Sequence, residues 1–243
     1  MENRQMKNRR KIKKSTIVID IILVISTCLV LLPIVTMVMT SLKTFEDVQM
    51  NPASLIPKEF TLKNYVTVFT EFPFTQYLIN TLFITITSTI GITLTSALVA
   101  YAFARFDFKY KGIIFAVMLS TIMIPGQILQ IPLYEMYRGM GWINTYKPMI
   151  IPAFLGGGIT NVFLIRQFFN SLPKSIFESA QIDGAGEFRI FATIAVPLSK
   201  AIIFTVAIFS FTASWNDFYS PLLYINDDKK YTLAYGLYIF FDK

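Results

Sequence analysis

Ser171-Leu-Pro-Lys-Ser-Ile-Phe-Glu-Ser-Ala-Gln-Ile-Asp-Gly-Ala-Gly-Glu-Phe-Arg-Ile-Phe-Ala-Thr-Ile-Ala-Val-Pro197 is a polar island between two apolar runs, each long enough to cross a bilayer. Pro173 suits the first turn of a helix, where its missing N–H would be unpaired anyway, and Gly184 suits the position just past a helix end. The spacing therefore predicts a short helix over residues 174–183. At 100° per residue it carries Ile176, Ser179, Ala180 and Asp183 on one stripe and Lys174, Glu178 and Gln181 opposite. Small residues on that stripe would admit another backbone closely. Gly184-Ala185-Gly186 then lets the chain fold back before a second short helix over residues 187–191, and Pro197 opens the next apolar run.

The two flanking runs fit the whole composition. Apolar residues make up 54% of the 243 and charged residues only 15%, against about 25% charged in a soluble domain, which points to an all-α polytopic transmembrane bundle. Cys28 is the single cysteine and there is no histidine. That excludes a disulfide framework, a cysteine or histidine metal cluster and a histidine-dependent triad. A net charge of +7 raises nucleic acid as a partner, but the basic residues gather at the ends of apolar segments, as topology signals do.

Residues 1–16 form a basic tail containing Arg4, Lys7, Arg9, Arg10, Lys11, Lys13 and Lys14, followed by a single membrane domain over 17–243. The first apolar run, 17–39, reaches roughly 35 Å as a helix and passes Pro33 with no small-residue cleavage site, so it reads as a span rather than a signal peptide. Residues 43–75 are mixed, charged and proline-bearing, and lie outside the hydrocarbon. Further helices are expected over about 77–104, 112–137, 148–169 and 198–218, making five complete spans. The last apolar run, 231–241, has eleven residues and is too short to cross. With the N-terminus cytoplasmic, fourteen Lys and Arg fall inside and eight outside, which satisfies the positive-inside rule.

Within these spans, Gly91, Ser96, Ala97, Ala100 and Ala104 offer close-packing positions, and Thr81, Thr85 and Thr89 make a second stripe. Gly156-Gly157-Gly158 is no phosphate loop, because no Lys-Ser or Lys-Thr follows; close helix contact or a flexible point is its expected use. Pro125-Gly126 and Pro132 interrupt the third span. The freed backbone groups there need protein or water, so Gln127, Gln130, Tyr134 and Glu135 either line a pathway or flank a kink near the outer surface. Asn216 and Asp217 in Ser214-Trp-Asn-Asp-Phe-Tyr-Ser-Pro-Leu-Leu223 either touch a solute or an external protein, or cap the helix before them.

The polar island also carries Glu178-Ser179-Ala180, Gly184, Ile194 and Val196-Pro197 in the order and spacing of a known motif, Glu-Ala-Ala, three residues, Gly, nine residues, Ile, one residue, Leu-Pro. It departs only at Ser179 and Val196. It resembles the cytoplasmic coupling loop, here about residues 170–197, of the membrane subunits of bacterial ATP-binding-cassette importers of the type I kind. Asn51-Pro52 and Ile56-Pro-Lys-Glu-Phe-Thr-Leu-Lys-Asn-Tyr65 resemble the external segment of the carbohydrate branch, the maltose and multiple-sugar type. The Trp215-Asn216 segment is similar to that family as well. The resemblance implies coupling residues Glu178, Ser179, Ala180, Asp183, Gly184, Ala185, Ile194 and Pro197, docked on a separate ATPase dimer. It further implies a second homologous permease subunit, an external solute-binding protein that delivers a sugar, surrounding membrane lipid, and a place in the bacterial cell membrane. The family normally has one more span, so the chain is either a shortened version or ends differently.

No Gly-x-x-x-x-Gly-Lys-Ser/Thr occurs, so ATP and Mg are expected on the partner ATPase and this chain is expected to be a transport subunit, not an enzyme. Burial of Ile176 and Phe177 in the partner's groove would contribute roughly 1.5–3 kcal/mol each before ordering costs. Throwing a two-state pore from 1:99 to 99:1 takes about 5.5 kcal/mol, which the loop transmits rather than generates. Three rivals remain: a permease for peptides or polyamines, a non-transporting subunit, and a membrane-embedded enzyme. The last needs ionisable groups deep in the membrane, whereas Asp20, Glu135, Arg166, Lys200 and Asp217 fall near span ends.

Overall fold

The computed structural model describes residues 14–241, all of whose regular elements are helical. Arg4 to Lys13 of the basic tail lie outside the described residues. The chain divides into two compact units, one up to Phe72 and one from Pro73 onward.

In the first unit, α1 (Lys14–Ser41) is apolar on every side and none of its most hydrophobic window is buried inside the protein. A helix apolar all round with nothing of its own to cover it belongs in lipid. Its hydroxyls spend their hydrogen bonds on the helix itself, Ser26 on Ile22 O at 2.8 Å and Thr27 on Leu23 O at 2.7 Å. After it come α2 (Phe45–Met50), capped by Thr44, and α3 (Lys63–Thr70). The segment between is pinned by two buried charges. Lys43 Nζ donates to Asn51 O at 3.0 Å and Ser54 O at 2.6 Å. Asp47 accepts from the Lys58 N–H at 3.0 Å and from Asn51 Nδ2 at 3.1 Å. The Lys58 amide, then Asn51 and the Lys43 and Lys58 charges, hold the Asp47 carboxyl below its usual range against the opposing effect of burial.

The second unit is built on α4 (Phe74–Arg105), a helix longer at both ends than the residue pattern implied. Around it are α5 (Lys111–Ser120), α6 (Gly126–Gly139), α7 (Lys147–Ile150), α8 (Ile159–Ser171), α9 (Lys174–Ile182), α10 (Glu187–Ile190), α11 (Val196–Leu198), α12 (Lys200–Trp215), α13 (Tyr219–Tyr224) and α14 (Leu233–Phe241). Three helices, Val18–Ser41, Phe74–Arg105 and Lys147–Ser171, are long and apolar enough to cross a membrane. The number rises to five if two bent pairs each count as one span.

Three expected helices are broken. The third bends by 98° between Lys111–Met123 and Gly126–Gly139, at Pro125 as expected, whereas the second helix of that pair runs on through Pro132, where an interruption was also expected. The fourth, expected to be continuous, is interrupted by a 3₁₀ turn over Ile151–Phe154 and by Gly156, Gly157 and Gly158, all at positive φ. The reason is α4: Ser88 Oγ donates to Met149 O at 2.9 Å and Thr95 Oγ1 to Ala153 O at 3.1 Å, so side chains of another helix satisfy carbonyls in and beside the break. A Cβ on Gly157 would collide with Ile92 O and with the Ser96 side chain, so this glycine serves close helix approach. The fifth begins at Lys200 rather than after Pro197 and ends at Trp215, and it meets Glu187–Leu198 at 82°. Before that bend Phe191–Ala195 is a π-helical turn in which the Val196 N–H reaches Phe191 O.

Candidate coupling site

The polar island folds as two short helices held hard against the bundle. α9 ends at Ile182, and Gly184 takes φ +79° while the Ala185 N–H bonds Ala180 O and the Gly184 N–H bonds Gln181 O, both at 3.0 Å. This is the double bond pattern of a Schellman cap, and only glycine adopts that backbone without strain. The motif's glycine therefore has a local structural duty.

The facing of α9 corrects one expectation, the burial of Phe177 in a partner's groove. Phe177, 2% exposed, is the residue turned inward, with Ala180 and Ala185 half-buried beside the core, while Ile176, Ser179 and Asp183 look outward. Phe177 joins Tyr101, Phe169, Ile190, Phe191, Ala195 and Val206 in one buried cluster, and the Arg105 guanidinium lies 4.3 Å from its ring. Phe177 is thus spent within this chain and is not free to enter a partner's groove. The large apolar side chains of α9 and α10 that remain exposed are Ile182 at 86%, Phe188 at 76% and Ile176 at 37%.

Glu187, at the head of α10, ties the island to α4. Tyr101 Oη donates to its Oε2 and Gln181 Nε2 to its Oε1, each at 2.7 Å, so one carboxylate links α4, α9 and α10. Of the motif residues, Glu178 and Pro197 are exposed and Ile194 is half-buried against the core. The fastening residues Tyr101, Arg105, Phe177 and Glu187 carry no local signature: Tyr101 and Glu187 are 86 positions apart.

The other candidates collect elsewhere. Tyr134 stacks on Tyr224 with ring centroids 6.4 Å apart, while on the same helix Gln127 is exposed and Gln130 half-buried. Asn216 ends α12, its Nδ2 donating to Thr212 O at 2.8 Å, and Asp217 Oδ1 accepts the Ser220 N–H at 3.1 Å at the start of α13. Asp217 also borders a narrow cleft with Thr81, Thr85, Ser214 and Thr232. The turn before α7 is fastened to the segment before α14 by Asn144, which accepts the N–H groups of Asn226 and Asp227 at 3.2 and 3.1 Å. Among the described residues no group of three His, Cys, Asp or Glu side chains is placed to hold a metal.

Residues 92–236 match the model of a family described as binding-protein-dependent transport system inner membrane component. A probable ABC transporter permease protein of Pyrococcus horikoshii is 34% identical over 85% of this chain and 76% of its own length. The arabinooligosaccharides transport system permease protein of Halalkalibacterium halodurans is 33% identical over 84% and 74%, and the trehalose/maltose transport system permease protein of Thermococcus litoralis 31% over 94% and 82%. A chain from the crystal structure of a bacterial ABC transporter involved in the import of the acidic polysaccharide alginate shares the fold, with a TM-score of 0.81 at 21% identity over 95% of this chain and 80% of that one. The chain therefore belongs to the binding-protein-dependent transport system inner membrane components, as a multi-pass membrane permease subunit of the ABC importers rather than an enzyme.

Proposed function

We propose that this permease imports a sugar or oligosaccharide delivered by an external binding protein, and that residues 174–191 couple it to a separate ATPase. The sugar class rests on relatives named for arabinooligosaccharides and for trehalose and maltose, together with the external segment 56–65. The observation that carries the coupling reading is the two-faced polar island. Phe177 and Glu187 lock it to the bundle core, while Ile182 and Phe188 present apolar surface to the outside. An element rigid toward the bundle and sticky away from it transmits displacement instead of absorbing it.

In this reading the ATPase pair holds ATP and Mg, closes, and carries α9 and α10 with it. Because Ile190, Phe191 and Ala195 lie in the same core as Ala100 and Val206, α4 and α12 follow. The N-terminal tail and the polar island share the cytoplasmic side, and a second permease subunit completes the pathway, to which Gln127, Gln130, Tyr134, Asn216 and Asp217 are candidate contributors.

The test is Gly184→Arg. The position opens on free space, so the strain at φ +79° is the main local cost and the chain still inserts. Association with the ATPase and uptake are expected to be lost together; normal uptake in the variant removes the coupling claim. Substrate class is read separately, from ATPase stimulation of the reconstituted complex by binding protein loaded with sugars, peptides or polyamines.

A further inference from the structure

The segment after α1 contains a helix whose apolar face is left exposed. On α3, Tyr65, Val66, Val68 and Phe69 fall on one arc and Lys63, Asn64, Thr67 and Thr70 on the other, with Leu62 just ahead continuing the apolar arc. A surface helix in water turns its apolar arc toward its own chain. Here Asn64 of the polar arc fastens the helix to its own chain, and no residue of α3 is buried. Asn64 Nδ2 donates to Ser41 O at 3.0 Å and Lys43 O at 2.8 Å, and Lys63, Asn64 and Thr67 line a polar cleft with Glu46 and Glu59. Leu62, Tyr65, Val66 and Phe69 are left 66%, 45%, 59% and 61% exposed.

The depth of this face is set by hydrogen bonds. Tyr65 Oη lies 2.7 Å from Ser41 Oγ, and the Thr61 N–H donates to Leu42 O at 2.9 Å. Ser41 is the last residue of α1, the apolar helix that lies in lipid, so its position marks where the chain leaves the hydrocarbon. The start of α3 is thereby held at the boundary between acyl chains and headgroups.

We propose that α3 is a membrane-interface anchor, its Leu62, Tyr65, Val66 and Phe69 face set into the phospholipid at the end of α1. A short helix with an aromatic and aliphatic face opposite a polar, lysine-bearing one is the composition that lies in that plane. A soluble partner that comes and goes would leave the face in water between visits, whereas lipid covers it throughout. The anchor fixes the level of the segment carrying Lys43 and Asp47, and so the platform that the transporter offers outside the hydrocarbon. It rests on α1 crossing the bilayer and is independent of the coupling role of α9.

The test uses the assembled transporter in phosphatidylcholine and phosphatidylglycerol vesicles, with a nitroxide on Val66→Cys or Lys63→Cys in a Cys28→Ser background. Oxygen, which concentrates in lipid, is expected to collide with the label at 66 more often than a water-soluble nickel chelate does, and the order is expected to reverse at 63. Free access of the chelate to position 66 would place the face in water, and exclusion of both agents would place it under protein; either result overturns the proposal.

Discussion

At the residue scale, exposure and partnership separate what holds the coupling element from what it offers. Phe177 is 2% exposed and belongs to the core, so Phe177→Ala should lower stability by about 3–5 kcal/mol, read as a fall in thermal unfolding temperature in detergent. Ile182→Glu and Phe188→Glu alter side chains that are mostly exposed, and should leave that temperature nearly unchanged while weakening co-purification of the ATPase. An equal loss of stability in both sets would show that the outward face is structural. Asp47 adds a pH prediction. Its carboxyl is held below the usual range chiefly by the Lys58 amide, so its contribution is complete above the unfolded carboxylate value and disappears as pH falls through the lower folded value. The Lys58 amide, whose N–H the carboxylate accepts, should therefore lose protection from hydrogen exchange, relative to the intrinsic rate, only below about pH 4, and Asp47→Asn should lower that protection at neutral pH.

At the scale of elements, the breaks in the apolar runs are as purposeful as the helices. Gly157 approaches α4 so closely that a methyl group would meet Ile92 O and would lie 2.8 Å from the Ser96 amide nitrogen. Gly157→Ala should cost about 1–3 kcal/mol in overpacking in addition to left-handed strain. Gly156→Ala, with open space around it at φ +116°, should show the strain alone. Thermal unfolding of the pair measures the difference, and equal losses would contradict the close approach. The bend at Pro125 was legible because proline removes a donor and clashes with the preceding turn. The break in the fourth span was not, since it depends on Ser88 and Thr95 reaching the carbonyls of Met149 and Ala153 from another helix.

At the scale of the molecule, the island, the bundle and the membrane are one mechanical system, and orientation decides whether the proposed coupling works. A cysteine replacing Phe188, 76% exposed, in a Cys28→Ser background should react with an impermeant maleimide from the cytoplasmic side alone. Reaction from outside would separate the island from any cytoplasmic ATPase. The composition, the lengths of the apolar runs, Pro173, Gly184 and the motif from Glu178 to Pro197 sufficed to specify an all-helical membrane permease with a short capped helix in its polar loop. Those features are local: a run's length matches a bilayer, and a glycine's missing Cβ permits a cap, whatever surrounds them. Only the tertiary structure decided that α9 turns Phe177 inward, that Tyr101 and Gln181 share the Glu187 carboxylate, and that α3 leaves its apolar face exposed. Each of those depends on groups far apart in the chain arriving at one place, and helical periodicity states that a helix has two faces without saying what will stand opposite either one.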